Sequence, residues 1–135
     1  MSRDGFNSRR FLYLRLLTVS LVVGALYDLG FAAAMVLAPE LPMRLLHLPL
    51  PGESFYLWLI AIFLAMLAAL YLMAAEDPRR YSGVIAVAIA GRLAGALAFV
   101  IAAWGRPDLA GLYPLAAADL AFGVAHALLW APVRS

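Results

Sequence analysis

The sequence predicts an all-α protein, a four-helix transmembrane bundle with both termini on the cytoplasmic side. Of its 135 residues, 66% are hydrophobic and 13% are charged, whereas a soluble domain has roughly 45–50% and 25%. The apolar residues form four runs of about 20 residues or more, the length that crosses a hydrocarbon core as a helix. None of these runs shows the period-two alternation that is typical of membrane-barrel strands.

The four runs are the predicted elements of a single integral membrane domain that covers residues 1–135. They extend over about residues 11–38, 55–75, 81–104 and 109–131. Because lipid offers no hydrogen-bond partner, each run must satisfy its own backbone groups as a helix. Polar segments with proline or glycine separate the runs, as expected of loops. Pro114 is an alternative first residue of the fourth helix, since proline is favoured in the first helical turn.

The first run follows a basic amino-terminal segment, as the core of a cleaved signal peptide does. Its apolar stretch of roughly 27 residues is much longer than the 7–15 residues of a signal core. It also contains a charged residue, Asp28. We therefore expect this run to be retained as a membrane helix.

The arginines predict the orientation of the chain. With the amino terminus inside, the inner ends of the helices carry six arginines: Arg3, Arg9, Arg10, Arg79, Arg80 and Arg134. The outer ends carry two, Arg44 and Arg106. Because basic residues are enriched in cytoplasmic loops, this bias predicts that both termini are cytoplasmic.

The loop between the first two runs is the only long one. Its sequence MRLLHLPL follows Pro42, contains Pro49 and predicts one or two helical turns on the outer membrane surface. Two interpretations are open, a connector stiffened by proline or a functional lid. The next loop, EDPRR, is expected to be a tight turn in which Pro78 ends the second helix.

Three charged residues lie deep inside the predicted helices: Asp28, Arg92 and Asp119. Counted from the outer helix ends, their depths are roughly 16, 18 and 15 Å, so they share one layer near mid-membrane. An unpaired charge at a helix centre costs about 2.5–3.5 kcal/mol on insertion scales. We therefore expect the three side chains to face inward, with Arg92 bridging the two acids.

A second polar layer is expected on the cytoplasmic side of the first. His126 shares a helix face with Asp119, and Tyr71 lies at a similar distance from the inner membrane surface. Two acids around one arginine leave a surplus negative charge, so one carboxyl is expected to hold its proton in a dry interior. A proton path from Asp119 through His126 to Tyr71 follows as a hypothesis. Tyr27, beside Asp28, completes the candidate ligand or proton site.

The buried charges also have a purely structural interpretation, because an ionic bridge can fix the register of packed helices. Small residues near the charges favour close helix packing. Gly91 and Gly95 form a GxxxG pair on the third predicted helix and are the candidate helix-packing residues. The sequence alone leaves the structural and functional interpretations open.

The composition excludes several chemistries. The chain has no cysteine, which rules out disulfides and thiolate catalysis. We expect no metal site, because one intramembrane histidine provides too few ligands, and no cofactor. Phosphate loops, GxSxG elbows and HExxH motifs do not occur, so no catalytic residue is assigned. The arginines form no broad stripe that would indicate nucleic-acid binding.

The stretch YLMAAEDPRRYSGVIAVAIAGRLAG carries a resemblance. It is similar to an uncharacterised family of small bacterial four-helix transmembrane proteins, and more distantly to DoxX-like proteins. The matching positions are Tyr71, Ala74, Ala75, Asp77, Pro78, Arg80, Gly91 and Arg92. In its last helix the family usually has Asn-Asp-Leu or Asn-Asp-Ile followed by tryptophans, where this chain has Ala118, Asp119 and Leu120. The resemblance implies a fold and a membrane location and no specific chemistry.

The expected function is that of a small multi-pass protein of the bacterial inner membrane. The favoured role is non-catalytic binding of a partner membrane protein or of an apolar ligand such as a quinone or a lipid. The alternative is a small proton-coupled transporter, acting as a homo-oligomer and using Asp28 or Asp119. An accessory subunit of a membrane enzyme is the third hypothesis.

Overall fold

The computed structural model describes the backbone of residues 3–134 and the side chains of residues 8–134. Every regular element in this part of the chain is helical. The elements are α1 Arg3–Leu37, α2 Glu40–Leu45, α3 Ser54–Glu76, α4 Ser82–Ala103, a 3-10 turn Pro107–Leu109 and α5 Leu112–Arg134. The four long helices are each long and apolar enough to cross a membrane. The prediction of an all-α, four-helix bundle is therefore confirmed.

The start of α5 differs from both predicted starts. The helix begins at Leu112, because residues 107–109 form a separate 3-10 turn. Pro114 is then the third residue of the helix, where its missing N–H would have no partner within the helix. Just before this turn, Arg106 donates to Asp108 at 2.7 Å. This hydrogen bond holds the pKa of the Asp108 carboxyl below its usual value.

The long helices do not contact one another equally. α1 packs along α3, and α4 packs along α5, whereas α1 and α5 join the two pairs. α3 and α4 contact each other much less, although a tight turn connects them. In that turn, Asp77 Oδ1 accepts hydrogen bonds from the N–H groups of Arg79 and Arg80 at 3.2 and 3.1 Å. The bundle is thus a ring of four helices that is weakest between α3 and α4.

Two hydrophobic clusters explain this weakness. Near the α3–α4 turn, the cluster joins α1, α3 and α4: Leu17, Leu21, Ala25, Ala68, Tyr71, Ala74, Ile85 and Ala88. At the opposite end, the cluster takes its buried residues from α1, α2 and α3 only: Ala32, Met35, Met43, Leu57 and Ala61. Packing therefore holds α3 against α4 at one end and leaves them apart at the other.

The first loop folds back onto the bundle. Its helical turn lies slightly earlier than predicted, over Glu40–Leu45, and buries Pro42 and Met43. It ends in a Schellman motif, with the N–H of Leu48 bonded to the carbonyl of Met43 at 2.8 Å. His47 occupies the left-handed position of this motif, with a φ of 53°, where glycine is the usual residue.

The loop is also fixed from the α5 side. A Cβ atom built at Gly111 would overlap the backbone carbonyl of Leu46. Glycine at this position therefore lets the connection before α5 lie directly against the first loop. Because the obstructing atom is backbone, no side-chain rotation can relieve the overlap.

We expect Gly111→Ala to destabilise the protein by about 1–3 kcal/mol, the usual cost of overpacking. Thermal unfolding in detergent, followed by circular dichroism, would show a lower midpoint than the unsubstituted protein. Gly30→Ala is the matched control, because a Cβ at Gly30 meets no atom within 4 Å. Equal midpoints for the two variants would contradict the proposed contact between the loops.

Candidate functional site

A single guanidinium joins three helices at the centre of the bundle. Arg92 on α4 donates from Nη2 to both oxygens of Asp28 on α1, at 2.7 and 2.8 Å. Its Nη1 donates to Asp119 Oδ1 on α5 at 2.6 Å. The Asp28 side chain is 0% exposed, and those of Arg92 and Asp119 are 7% and 14% exposed. The three charged residues singled out by the sequence therefore form one buried ionic cluster.

The remaining long helix, α3, reaches the same cluster through a tyrosine. Arg92 Nε donates to the hydroxyl oxygen of Tyr71 on α3 at 3.0 Å. The guanidinium carbon also lies 5.7, 5.4 and 5.2 Å from the ring centres of Tyr27, Tyr71 and Phe122. Such distances are within the range of cation–π attraction. Arg92 is thus held by polar groups from α1, α3 and α5 and by surrounding aromatic faces.

Helix ends measured from the structure place the three charged residues at less uniform depths than expected. Counted from Leu37, Ala103 and Leu112 at about 1.5 Å per residue, Asp28, Arg92 and Asp119 lie about 14, 16 and 10 Å deep. The later start of α5 makes Asp119 the shallowest of the three. The length and flexibility of the arginine side chain allow Arg92 to reach both acids despite this difference.

The two glycines of the GxxxG pair have different surroundings. A Cβ at Gly95 would lie 2.7 Å from Asp119 Oδ2, so glycine there makes room for the carboxylate. A Cβ at Gly91 would meet nothing within 4 Å. Within this chain, Gly95 meets a neighbouring helix and Gly91 faces an open space, and the assignment of the pair to helix packing stays a prediction.

His126 is fully buried but does not extend the polar cluster. Its ring meets the Tyr71 ring edge to face at 5.8 Å and lies 6.0 Å from the Phe122 ring. Neither ring nitrogen makes a hydrogen bond within the described residues, although the backbone of Ser20 lies close to the imidazole. The Tyr71 hydroxyl instead belongs to the layer of Arg92. The expected proton path from Asp119 through His126 to Tyr71 is thus not connected by hydrogen bonds in this structure.

A cavity of about 330 Å³ adjoins the ionic cluster, and the sequence analysis did not predict it. Asp28, Tyr71, Arg92 and Asp119 form its polar end. The rest of its wall is almost entirely apolar: Tyr27, Phe31, Met35, Ile60, Leu64, Leu67, Val87, Ala88, Gly91, Gly95, Phe99 and Leu115. The one signal in the sequence was Gly91, which contributes no side chain to fill the space beside Arg92.

The side of the cavity between α3 and α4 reaches the outside of the bundle. Ile60 and Leu67 on α3 and Val87 on α4 line the cavity and are also exposed on the outside of the bundle. These residues flank the gap between α3 and α4, where the helices contact each other least. In a membrane this gap faces lipid, so the cavity is accessible from the bilayer.

The cluster offers little to a metal ion. Among residues 8–134, no group of three histidine or acidic side chains is close enough to hold one. Asp28 and Asp119 both have Arg92 as their partner. The arrangement provides a fixed set of hydrogen-bonding groups at one end of the apolar cavity.

We expect Arg92→Met to lower stability by about 3–5 kcal/mol, because it leaves two buried carboxylates without their cation. Adding Asp28→Asn and Asp119→Asn removes both charges and should restore most of the lost stability. The yield of monodisperse protein in detergent and its thermal midpoint measure both effects. A triple variant as unstable as Arg92→Met alone would show that charge compensation is not what Arg92 provides.

Comparison of the chain with protein families, with curated proteins and with solved structures finds no match. The composition and the four membrane-length helices show a polytopic membrane protein.

Proposed function

We propose that this protein binds a membrane-soluble small molecule with an apolar body and a neutral polar head, without catalysing a reaction on it. A quinone or an uncharged lipid has this chemistry. The observation that carries the proposal is the cavity between α3 and α4, which is apolar along its walls, polar at its inner end and accessible from lipid. Ligand sites in proteins commonly combine an apolar lining with a few fixed polar groups.

The size of the cavity limits what can enter. Its volume of about 330 Å³ is near the lower end of the 300–1,000 Å³ range of small-molecule sites. It can therefore enclose a ring-sized head group but not a long tail. A tail can leave through the gap between α3 and α4 and remain among the lipid chains.

The polar end favours a neutral head group that accepts and donates hydrogen bonds. The Tyr71 oxygen accepts from Arg92, which leaves its own O–H to donate to a carbonyl oxygen of the ligand. Asp119 uses Oδ1 for Arg92 and directs Oδ2 toward Gly95 at the cavity wall. Since the two carboxylates outnumber the single guanidinium, an anionic head group would be repelled.

We also propose that the protein lies in the inner membrane of a bacterium with both termini in the cytoplasm. The six-to-two distribution of interfacial arginines supports this orientation. A partner membrane protein or a second copy of the chain is compatible with the same arrangement, because the cavity opens toward neighbouring molecules in the bilayer.

We expect a short-chain ubiquinone to bind the purified protein and Gly91→Leu to weaken this binding at least tenfold. The new side chain has room at Gly91 and enters the cavity. Gly83→Leu is the matched control on the same helix, because its Cβ meets no atom within 4 Å and it does not line the cavity. Native mass spectrometry with added ubiquinone measures occupancy. Equal binding to both variants would contradict this site.

Proton-coupled transport is the second candidate function. The observation that favours it is the excess negative charge of Asp28 and Asp119 over Arg92, which a proton or a cation can neutralise. It requires that the protein moves protons in liposomes and that Asp119→Asn abolishes this movement while the fold is retained.

Our proposal of ligand binding without transport expects no proton flux above that of protein-free liposomes. A pH-sensitive dye trapped in the liposomes, read after an imposed pH gradient, measures the flux. Flux in the unsubstituted protein that is lost in Asp119→Asn would favour transport over ligand binding alone.

A further inference from the structure

The two ends of the bundle carry different charge. Among the described side chains, the end with the α3–α4 turn has six arginines and two carboxylates: Arg9, Arg10, Arg15, Arg79, Arg80, Arg134, Glu76 and Asp77. The opposite end has two arginines and three carboxylates: Arg44, Arg106, Glu40, Glu53 and Asp108. There, Arg106 is paired with Asp108 at 2.7 Å. Among the described side chains, only those of the first end have an excess of positive charge.

Part of this positive charge surrounds a pocket. A cavity of about 280 Å³ lies between α1, the α3–α4 turn with the first residue of α4, and the carboxyl-terminal turns of α5. Arg10, Arg79 and Arg134 line it, one from each of these three parts of the chain, together with Ser82 and Trp130. Within the described part of the chain, no carboxylate lines this pocket. Its polar side-chain groups are guanidinium, hydroxyl and indole N–H groups, all of which can donate hydrogen bonds.

The lining groups are held in place by contacts within the bundle. Arg10 Nη2 donates to the backbone carbonyl of Val133 at 3.1 Å. The Arg134 guanidinium lies 5.1 Å from the centre of the Trp130 ring. The indole Nε1 of Trp130 is buried and has no acceptor among the described residues. Since buried donors in folded proteins almost always have a partner, this N–H is available to an acceptor brought by a ligand.

The position of the pocket indicates where such an acceptor comes from. The pocket lies at the ends of membrane-spanning helices, where tryptophan and arginine side chains meet the lipid head groups. Arginine pairs with phosphate oxygens through two parallel hydrogen bonds. Basic pockets between transmembrane helices are known to accept anionic lipid head groups. We propose that the pocket formed by Arg10, Arg79, Ser82, Trp130 and Arg134 binds the phosphate of an anionic phospholipid.

This site is independent of the cavity beside Arg92. The central cavity repels anions because Asp28 and Asp119 line it, whereas the basic pocket is lined by cations. A failure of ubiquinone binding would therefore not affect the proposal for phospholipid, and the reverse also holds.

The test uses the full-length protein in lipid nanodiscs, with Trp58→Phe and Trp104→Phe introduced so that Trp130 is the only tryptophan. Both replaced residues are exposed at the opposite end of the bundle. We expect the Trp130 emission to change saturably as phosphatidylglycerol replaces phosphatidylcholine. Adding Arg79→Gln and Arg134→Gln should raise the phosphatidylglycerol content needed for half-saturation roughly 20- to 30-fold, at about fivefold per arginine.

The matched control is Arg44→Gln with Arg106→Gln, which removes the same charge from the opposite end. It should leave the response unchanged. Native mass spectrometry of the otherwise unsubstituted protein gives a second readout. Here Trp130→Phe replaces the indole with a phenyl ring, removes the N–H and should lower the number of phosphatidylglycerol molecules retained.

Three outcomes would overturn the proposal. The first is an equal response to phosphatidylglycerol and phosphatidylcholine. The second is an equally weakened Trp130 response in the control variant with Arg44→Gln and Arg106→Gln, which would mean that bulk charge attracts the lipid. The third is a saturable response to inorganic phosphate in phosphatidylcholine nanodiscs, which would assign the pocket to a free anion instead of a lipid.

Discussion

The bridge from Arg92 to Asp28 and Asp119 is the interaction on which the rest of the bundle depends. In a medium of low dielectric constant, three separate charges would be costly, and their contact removes most of that cost. The bridge ties α1, α4 and α5 together, and the hydrogen bond to Tyr71 adds α3. All four long helices are therefore positioned by the hydrogen bonds of one guanidinium.

The same bridge accounts for the cavity. It holds α4 toward α5 and α1, and Gly95 lets the Asp119 carboxylate approach closely. Among the described residues, the hydrophobic cluster at the end away from the α3–α4 turn includes no residue of α4, so apolar packing does not draw α4 toward α3 at that end. The space that remains between α3 and α4 is bounded on one side by charge and on the others by apolar side chains. A cavity with this polarity suits a molecule that is mostly apolar and has one polar end.

The two proposed sites make opposite demands on a ligand. The central cavity beside Arg92 has one more carboxylate than guanidinium and favours a neutral head group. The pocket at Trp130 is lined by three arginines and favours an anion. They lie at different depths, one inside the hydrocarbon layer and one at its surface. As proposed, the two sites give the chain two chemically distinct interactions with bilayer molecules, in addition to the contact of its apolar exterior.

The sequence by itself determined the number of long helices, their approximate ends and the existence of three buried charges that need one another. Depth along a helix can be counted in residues, so the meeting of Asp28, Arg92 and Asp119 was predictable. Only the tertiary structure decided which helices are neighbours, that Tyr71 joins Arg92 while His126 does not, and that Gly91 faces a cavity. The physical reason is that helices apolar on every side carry no stripe that marks the inward face, so rotation and neighbour order depend on packing between helices.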